Sequence, residues 1–433
     1  MRYYLNKYPT NNRMNNLKDL NIEKELLPLF DFSLNKFARE KIIEILETPL
    51  PSTIAIINRQ NILKGFSANN MVLKDYSYTV LYLNEVHFFL NEEKIEDLSQ
   101  KKLKYKLFAS KHEKTKYIGK FNQLVLFFHR LQSKYFSRLD LEHFPQEYSS
   151  NIKLILQFLS NIELNKYEEI IREDRLKDKH VIALTEKISV LKKQKLVVPF
   201  WENLFLFEAY LSINSGLLKN NFTFPDFNID RIKLLDFYHP LVHKPVKNDF
   251  ETTSNVIVLN GPNMSGKSTF LKSVGLCLYF GHLGIGIPAA SGEIPFCNHF
   301  SIEINKRDDM SNGYSHFMTE IMNLKNVLKN AADGQQCFAI FDELFSGTNV
   351  EDALEICTTT INGLSKYKNS FFFISTHLQN LKNISNAQIS NYYIDCKLIE
   401  DKPTFTYKLK KGWSDIKVGR ILFDKEGLND MLN

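Results

Sequence analysis

The chain carries the sequence VIVLNGPNMSGKST at residues 256–269, an apolar run followed directly by a glycine-rich segment. The segment Gly261–Thr269 matches the pattern G-x-x-x-x-G-K-[ST] at every fixed position. Its glycines let backbone N–H groups turn inward around phosphate oxygens, and a following helix adds the positive end of its dipole. The apolar run predicts the strand that such a loop requires, and Phe270–Phe280 predicts the helix. The pattern therefore predicts a nucleoside triphosphate site, with Lys267 on the β- and γ-phosphates and Ser268 on magnesium.

A second motif, Phe338-Ala-Ile-Phe-Asp342-Glu343, is an apolar run that ends in two acids. A buried strand at this point would deliver Asp342 to the magnesium ion, and Glu343 would lie where a general base can polarise the attacking water. Many strands end in acids, so the motif indicates a site because it follows a phosphate loop along the chain. Asp342 is predicted to be a metal ligand and Glu343 the catalytic base.

A third motif is the apolar run Phe371–Ile374, which leads into Ser375-Thr376-His377. A His at the end of a strand can sense or stabilise the charge of a γ-phosphate. A single His is more often structural, and that is the alternative for His377. The order of the three motifs along the chain favours the functional interpretation.

The motifs lie in one of two regions with different hydrophobic patterns. From about residue 20 to residue 235, apolar residues recur at three- and four-residue spacing, which predicts helices at Phe37–Leu46, Gln123–Leu139, Ile152–Leu164 and Trp201–Leu218. Beyond that region, short apolar runs alternate with helical stretches, which predicts a largely parallel sheet with helices on its faces; the predicted strands are Val256–Leu259, Phe338–Phe341, Phe371–Ile374 and Tyr392–Ile394. The chain is thus expected to contain an all-α domain at residues 1–230 and an α/β domain at residues 231–433.

Composition bounds the class of protein. With 433 residues, 44% of them hydrophobic, the chain is long enough for two folded domains. Its five Cys include no C-x-x-C pair, which argues against a disulfide framework or a zinc site. The first residues have no apolar core of signal-peptide length, and no run of 18 apolar residues occurs. These features favour a cytoplasmic protein without membrane segments.

The net charge of +6 is unevenly spread along the chain. Glu113 is the one acid in a basic stretch, Lys101–Arg138. The basic residues of this stretch are Lys101, Lys102, Lys104, Lys106, Lys111, Lys114, Lys116, Lys120, Arg130, Lys134 and Arg138. Such a stretch can neutralise the phosphates of a nucleic acid. A solvated helix face in a lysine-rich protein is an equally good interpretation, because clustered charge does not identify a partner.

Together the motifs resemble the ATPase domain of the MutS family of DNA mismatch-repair proteins. The resemblance rests on GPNMSGKST, on Ser315–Glu320 (SHFMTE), on Phe341–Asn349 (FDELFSGTN) and on the sequence STH at Ser375. Outside these motifs it includes the His-Pro segment Asp236–Val242, the segment Tyr407–Ser414, and the two ends of the helical region, Phe32–Phe66 and Leu204–Phe227. It extends over roughly residues 25–420, and no LSGGQ sequence of the transporter ATPases occurs.

The resemblance implies a P-loop NTPase fold of the ABC/MutS type, with ATP and Mg²⁺ as its ligands. ATP would be bound by Gly261, Pro262, Asn263, Met264, Ser265, Gly266, Lys267, Ser268 and Thr269, with Tyr407 stacked on the adenine. Magnesium would be held by Ser268 and Asp342, while Glu343 and His377 would be catalytic. Ser315 would reach the nucleotide of a second subunit, and Gly347 and Thr348 would lie between the two facing sites. The resemblance therefore implies a homodimer formed through the ATPase domain.

The departures from the family concern DNA. Mismatch-reading members have an N-terminal domain with a Phe-x-Glu motif, which here occurs only at Phe200–Glu202 and Phe341–Glu343. A connector domain and a DNA-gripping clamp are also expected to be missing or reduced, and the chain stops at Asn433, where family members usually continue. The first hypothesis is thus a truncated MutS-like ATPase, dimeric when active, which couples nucleotide state to movement of the helical lever region. Its expected ligand is DNA of unusual structure, bound without base-specific reading. The alternative is a nucleotide-gated module that grips a protein or ribonucleoprotein instead.

Overall fold

The structure is a computed structural model that describes residues 20–92, 105, 107–228, 230–304, 316–384, 386–399, 402–416, 418–425 and 428–432. The chain divides into two compact units. The helical unit contains Phe30–Ile45 and Asn58–Gly216, and the C-terminal unit contains Leu46–Ile57, Leu217 onward and the residues up to Leu29. Contacts thus assign Leu46–Ile57 to the same unit as the phosphate loop, which a boundary at residue 230 does not do.

The N-terminal part is helical, as its spacing of apolar residues predicts. Its helices are α1 Leu27–Phe30, α2 Lys36–Glu47, α3 Thr53–Ala68, α4 Asn70–Leu73, α5 Val80–Glu92, α6 Lys111–Arg130, α7 Gln146–Ser160, α8 Leu164–Arg172, α9 Asp178–Lys193 and α10 Val197–Asn220. The predicted helix Gln123–Leu139 is α6 followed by a π-helical turn, Leu131–Tyr135, and a 3₁₀ turn, Phe136–Arg138. The predicted helix Ile152–Leu164 is too long, because α7 ends at Ser160 and Glu163 has a left-handed φ of 58°.

Aromatic side chains fill the core of the helical unit. Phe158 and Phe200 stack with ring centroids 4.1 Å apart, and Phe128 contacts both rings edge-on. Phe66 and Phe207 form a second contact at 4.9 Å. Phe66, Phe128, Phe158, Phe200 and Phe207 are all buried, so each removes a large apolar area from water.

A buried carboxylate fastens the loop between α4 and α5 to α10. Glu208 is 5% exposed and accepts hydrogen bonds from Tyr76 Oη at 2.8 Å and from Asn35 Nδ2 at 2.6 Å. Burial raises the pKa of Glu208 to about 7, although hydrogen bonds from Tyr76, Tyr78 and Asn35 oppose that rise. Three segments distant in sequence therefore meet at one satisfied polar group.

The C-terminal unit contains two sheets. Its strands are β1 Asp226–Asn228, β2 Ile232–Phe237, β3 Asn248–Thr252, β4 Val256–Asn260, β5 Ser291–Pro295, β6 His299–Glu303, β7 Cys337–Phe341, β8 Phe371–Ser375, β9 Ile389–Ile399 and β10 Lys402–Lys411. The larger sheet has the order β10-β9-β4-β8-β7-β6, and every pair in it is parallel except β9 with β10. The predicted α/β class with a mostly parallel sheet is therefore confirmed.

The smaller sheet, of order β1-β5-β2-β3, is not predicted by the hydrophobic pattern. Its strand β2, Ile232–Phe237, begins inside the region expected to be helical up to residue 235 and extends two residues beyond it. That strand alternates buried and exposed positions over only a few residues, and so short an alternation is hard to separate from a helical pattern. This sheet packs against the helix Lys267–His282. The rings of Phe237 and Phe250 contact the ring of Phe270, with centroids 5.5 and 5.8 Å apart.

Five helices complete the C-terminal unit among the described residues. They are α11 Lys267–His282, α12 His316–Ala332, α13 Val350–Leu364, α14 Val418–Lys425 and α15 Leu428–Leu432. Helix α11 contains the predicted segment Phe270–Phe280 and is buried along most of its length. The five cysteines are free thiols in buried positions.

In the described part of the chain no single helix has both the length and the apolar character of a membrane span. Helices α9 and α10 meet those criteria only when taken together, and they are bent by 85° with respect to each other.

Candidate active site

The segment Gly261–Thr269 forms the connection between β4 and α11. Strand β4 is buried throughout, and Gly261 follows it with φ 143°, while Gly266 caps α11 with φ 99°. A side chain at either glycine would be strained, since L-residues rarely adopt such backbone angles. A Cβ at Gly266 would also lie 3.2 Å from Cδ1 of Tyr407. The two fixed glycines of the sequence pattern are thus required by the local backbone.

The Lys267 side chain lies across this loop. Its Nζ donates to the carbonyl oxygens of Gly261 at 2.9 Å and Pro262 at 3.1 Å, and the residue is 6% exposed. Burial lowers the pKa of Lys267, whereas the nearby carboxylates of Glu343 and Asp342 act in the opposite direction. A buried cation bound only to carbonyl oxygens is well suited to exchange them for anionic oxygens.

Asp342 joins the phosphate loop to the end of β8. Ser268 Oγ donates to Asp342 Oδ2 at 2.5 Å, and Ser375 Oγ makes a short hydrogen bond to Asp342 Oδ1. The same Ser375 oxygen accepts the backbone N–H of Glu343 at 2.7 Å. Because β4, β8 and β7 are adjacent parallel strands, their carboxyl ends deliver these groups to one edge of the sheet.

Glu343 and His377 are in direct contact. His377 Nε2 lies 2.6 Å from Glu343 Oε1, and both side chains are partly exposed, at 39% and 33%. The structure therefore brings the predicted base and the predicted strand-end His together beside the phosphate loop. Solvent can reach both groups, as a reaction that consumes water requires.

The donor set suits a hard divalent cation. Ser268 and Asp342 supply oxygen atoms, which magnesium prefers, and magnesium usually takes few protein ligands because water and phosphate complete its shell. Among the described residues, no group of three or more His, Cys, Asp or Glu side chains could hold a metal ion. The hydroxyl of Ser265 in the loop is buried and has no hydrogen-bond partner within the described structure. The residues present therefore fit a magnesium–phosphate ligand at the loop.

Tyr407 packs against the phosphate loop through an irregularity in β10. The register with β9 shifts between Phe405 and Leu409, and Tyr407 has a left-handed φ of 56°. Asn248 of β3 clamps this bulge, because its Nδ2 donates to Tyr407 O at 3.0 Å and its Oδ1 accepts Leu409 N at 2.8 Å. The Tyr407 side chain, 46% exposed, is available for a ligand of the loop.

The remaining predicted residues lie near the site or outside the described residues. Gly347 and Thr348 belong to the loop that connects β7 with α13, and Gly347 is exposed. Asn263 and Met264 form the exposed tip of the phosphate loop, where Met264 has φ 68°. Ser315 lies outside the described residues. The bridging role of Ser375 and the clamp by Asn248 were missed, because each depends on pairing between segments far apart in sequence.

Several charges of the basic stretch are engaged within the helical unit. Lys114 forms an ion pair with Asp178 at 2.9 Å, and Lys120 lies over the ring of Phe89 at 5.0 Å. Arg130 donates to the carbonyl and hydroxyl oxygens of Ser77. Lys101, Lys102, Lys104 and Lys106 lie outside the described residues. Part of the stretch thus supports the helical unit, whatever else it binds.

The two serines that contact Asp342 should differ in their contribution to stability. Ser375→Ala removes a fully buried hydroxyl and leaves the Glu343 N–H without its acceptor, so we expect unfolding to be easier by about 1–3 kcal/mol. Ser268→Ala removes an exposed hydroxyl from the same carboxylate and should cost about 0.5 kcal/mol or less. Urea denaturation of both variants measures the difference, and equal losses would contradict this assignment of Ser375.

The chain was compared with known proteins. Residues 257–424 match the family model described as MutS domain V. The DNA mismatch repair protein MutS of Clostridium botulinum strain Eklund 17B is 30% identical over 275 residues, which is 60% of this chain and 27% of that protein. The protein of the same name from Clostridium beijerinckii is 30% identical over 227 residues, or 49% of this chain and 24% of that protein. The chain thus spans about a quarter of the length of the curated relatives it matches. The matched segment contains the phosphate loop, Asp342, Glu343 and His377, so this part of the chain, with the site, is similar to MutS domain V.

Proposed function

We propose that the chain binds ATP with Mg²⁺ at the Gly261–Thr269 loop and hydrolyses it, as a P-loop ATPase of the MutS type. The observation that carries this proposal is the convergence on Asp342: one carboxylate contacts Ser268 of the loop and Ser375 of β8, while Glu343, the next residue, contacts His377. The match of residues 257–424 to MutS domain V supports a nucleotide-hydrolysing role. The arrangement has the parts of a phosphoryl-transfer site, since it joins a phosphate cradle, a metal-ligand pair and a base.

Phosphate binding is assigned to the loop and to Lys267. Backbone N–H groups at the start of α11 and the helix dipole favour an anion there. Lys267 Nζ would leave the carbonyl oxygens of Gly261 and Pro262 for the β- and γ-phosphate oxygens. Asn263, at the exposed tip, would close over the same phosphates. The bound magnesium ion, held by Ser268 and Asp342, would neutralise charge on the phosphates.

Glu343 and His377 are assigned the chemical step. Glu343 would take a proton from the attacking water. The water oxygen would bond to the γ-phosphorus, and the bond between that phosphorus and the β–γ bridging oxygen would break. ADP would leave with the bridging oxygen, and His377, already 2.6 Å from Glu343, would donate a hydrogen bond to the transferred γ-phosphoryl group. Tyr407 would contact the adenine, with Asn248 fixing the backbone that presents it.

Two substitutions separate phosphate binding from chemistry. Lys267→Ala removes the cation from the cradle, so ATP should bind about 10- to 100-fold more weakly. Glu343→Gln keeps the cradle and removes the base, so affinity should stay while turnover falls by about 100-fold or more. Fluorescent-nucleotide binding and a phosphate-release assay measure the two effects. An equal loss of ATP affinity in Lys267→Ala and Glu343→Gln would contradict the assignment of Glu343 as the base.

The resemblance to the family also implies that Ser315, Gly347 and Thr348 act across a homodimer interface. Lys267→Ala and Ser315→Ala homodimers should both be nearly inactive if every site needs a loop from one subunit and a serine from the other. After random exchange, half of the dimers are mixed and half of their sites are intact, so about a quarter of wild-type turnover should return. A rate that stays flat across the mixing ratio, with exchange verified by labelling, would rule out the shared site.

The relatives named above are DNA mismatch repair proteins, and we infer a related role for this chain in DNA metabolism. In this role the nucleotide state moves the helical region, and DNA is bound without a side chain inserted at a mismatch. The alternative is a module that grips a protein or ribonucleoprotein. The engagement of Lys114, Lys120 and Arg130 inside the helical unit is the observation that favours the alternative.

A salt series on duplex, branched and mismatched DNA, with and without a nonhydrolysable ATP analogue, decides between the two functions. If DNA is the ligand, its affinity should fall steeply with salt and depend on the analogue. The exposed Lys111 and the paired Lys114 are a matched pair: Lys111→Ala should reduce the slope of log affinity against log salt by about 1, and Lys114→Ala should not. Absence of binding to every DNA would favour the protein-binding alternative.

A further inference from the structure

The loop that carries Glu343 has an unfavourable backbone. Between β7 and α13, Glu343 has φ 54° and Phe345 has φ 60°, and both are residues with side chains in the left-handed region. Such conformations persist only where the surroundings hold them. The orientation of Glu343 therefore depends on the groups that bind this loop.

Two side chains hold the loop through its backbone N–H groups. Ser375 accepts from Glu343, as described above, and the Glu320 carboxylate accepts from Phe345 N at 3.0 Å. Glu320 lies on α12 and is only 8% exposed. A carboxylate forms the stronger, charge-assisted kind of hydrogen bond with an N–H group, and burial reduces competition from water.

Helix α12 contacts the same loop at two further points. The ring of Phe317 meets the buried ring of Phe345 edge-on, with centroids 5.8 Å apart. A Cβ built on Gly347 would lie 3.5 Å from Phe317 Cβ, so the backbone of the loop passes close to the first turn of the helix. The Glu320 contact is thus the polar centre of a packed junction between α12 and the loop.

We propose that Glu320 is a positioning residue for hydrolysis, which acts by holding the Phe345 N–H so that the preceding turn directs Glu343 towards the attacking water. This assignment rests on the proposed ATPase function. A positioning residue differs from a merely structural acid in its effect on the two steps. Loss of the Glu320 contact should disturb the turn that carries Glu343 and leave the phosphate loop, which lies between β4 and α11, intact.

The test compares Glu320→Ala, Glu320→Asp and Glu320→Gln in the full chain. Glu320→Ala removes the acceptor, and Glu320→Asp shortens the side chain that carries it by one methylene. Both should lower kcat by about 10-fold or more, because a small misplacement of a catalytic group has a cost of that size. Affinity for a nonhydrolysable ATP analogue should change by less than about 3-fold in the same variants. Glutamine keeps an oxygen acceptor at the same reach and should restore most of kcat. Glu355→Ala, an exposed acid on α13, is the control and should change neither quantity.

The assignment would be overturned if kcat were unchanged in Glu320→Ala and Glu320→Asp, or if kcat and nucleotide affinity fell equally in them. It would also be overturned if Glu320→Gln were as slow as Glu320→Ala. Should Glu320→Ala fail to fold, the aspartate and glutamine pair alone gives the comparison. A wild-type chain that binds the analogue and does not hydrolyse ATP would instead overturn the proposed function, and the assignment with it.

Discussion

The Asp342 carboxylate holds together three segments that are far apart along the chain. One oxygen accepts from Ser268 at the start of α11, and the other from Ser375 at the end of β8. The backbone N–H of the next residue, Glu343, donates to the Oγ of the same Ser375. Without this carboxylate, Ser268 of the loop and Ser375 of the strand end would lose the acceptor that joins them.

Left-handed backbone conformations surround this anchor. Met264 in the phosphate loop, Glu343 and Phe345 after β7, and Tyr407 in β10 all have positive φ values and all carry side chains. Each is unfavourable by itself, and hydrogen bonds hold three of them: Ser375 binds at Glu343, Glu320 at Phe345 and Asn248 at Tyr407. Conformations of this kind gather at functional sites, where a side chain must be aimed in a direction that regular structure does not provide.

The helical unit obeys a different physical constraint. Its core is aromatic, and its principal buried charge, Glu208, is satisfied by neutral donors from two other segments. Burial raises the pKa of Glu208 to about 7, and the hydrogen bonds from Tyr76, Tyr78 and Asn35 oppose that rise. On the surface, ion pairs and ring contacts take up part of the basic stretch. The positive charge of this region is therefore weaker evidence for a nucleic-acid partner than the sequence count suggests.

Sequence alone determined the phosphate loop, the strand before it, the helix after it and the α/β class. It also gave the candidate site residues, which are Lys267, Ser268, Asp342, Glu343 and His377. These follow from local patterns, since glycine spacing, apolar runs and the residues at strand ends are visible in a short window. The small sheet, the link through Ser375, the Asn248 clamp on Tyr407 and the Glu320 contact with Phe345 were decided only by tertiary structure. The three side-chain contacts join positions between 25 and 161 residues apart, as the hydrogen bonds of Glu320 with Phe345 and of Asn248 with Leu409 illustrate. No local pattern records which distant backbone group a Ser, Asn or Glu side chain will meet, because strand order and helix packing set that pairing.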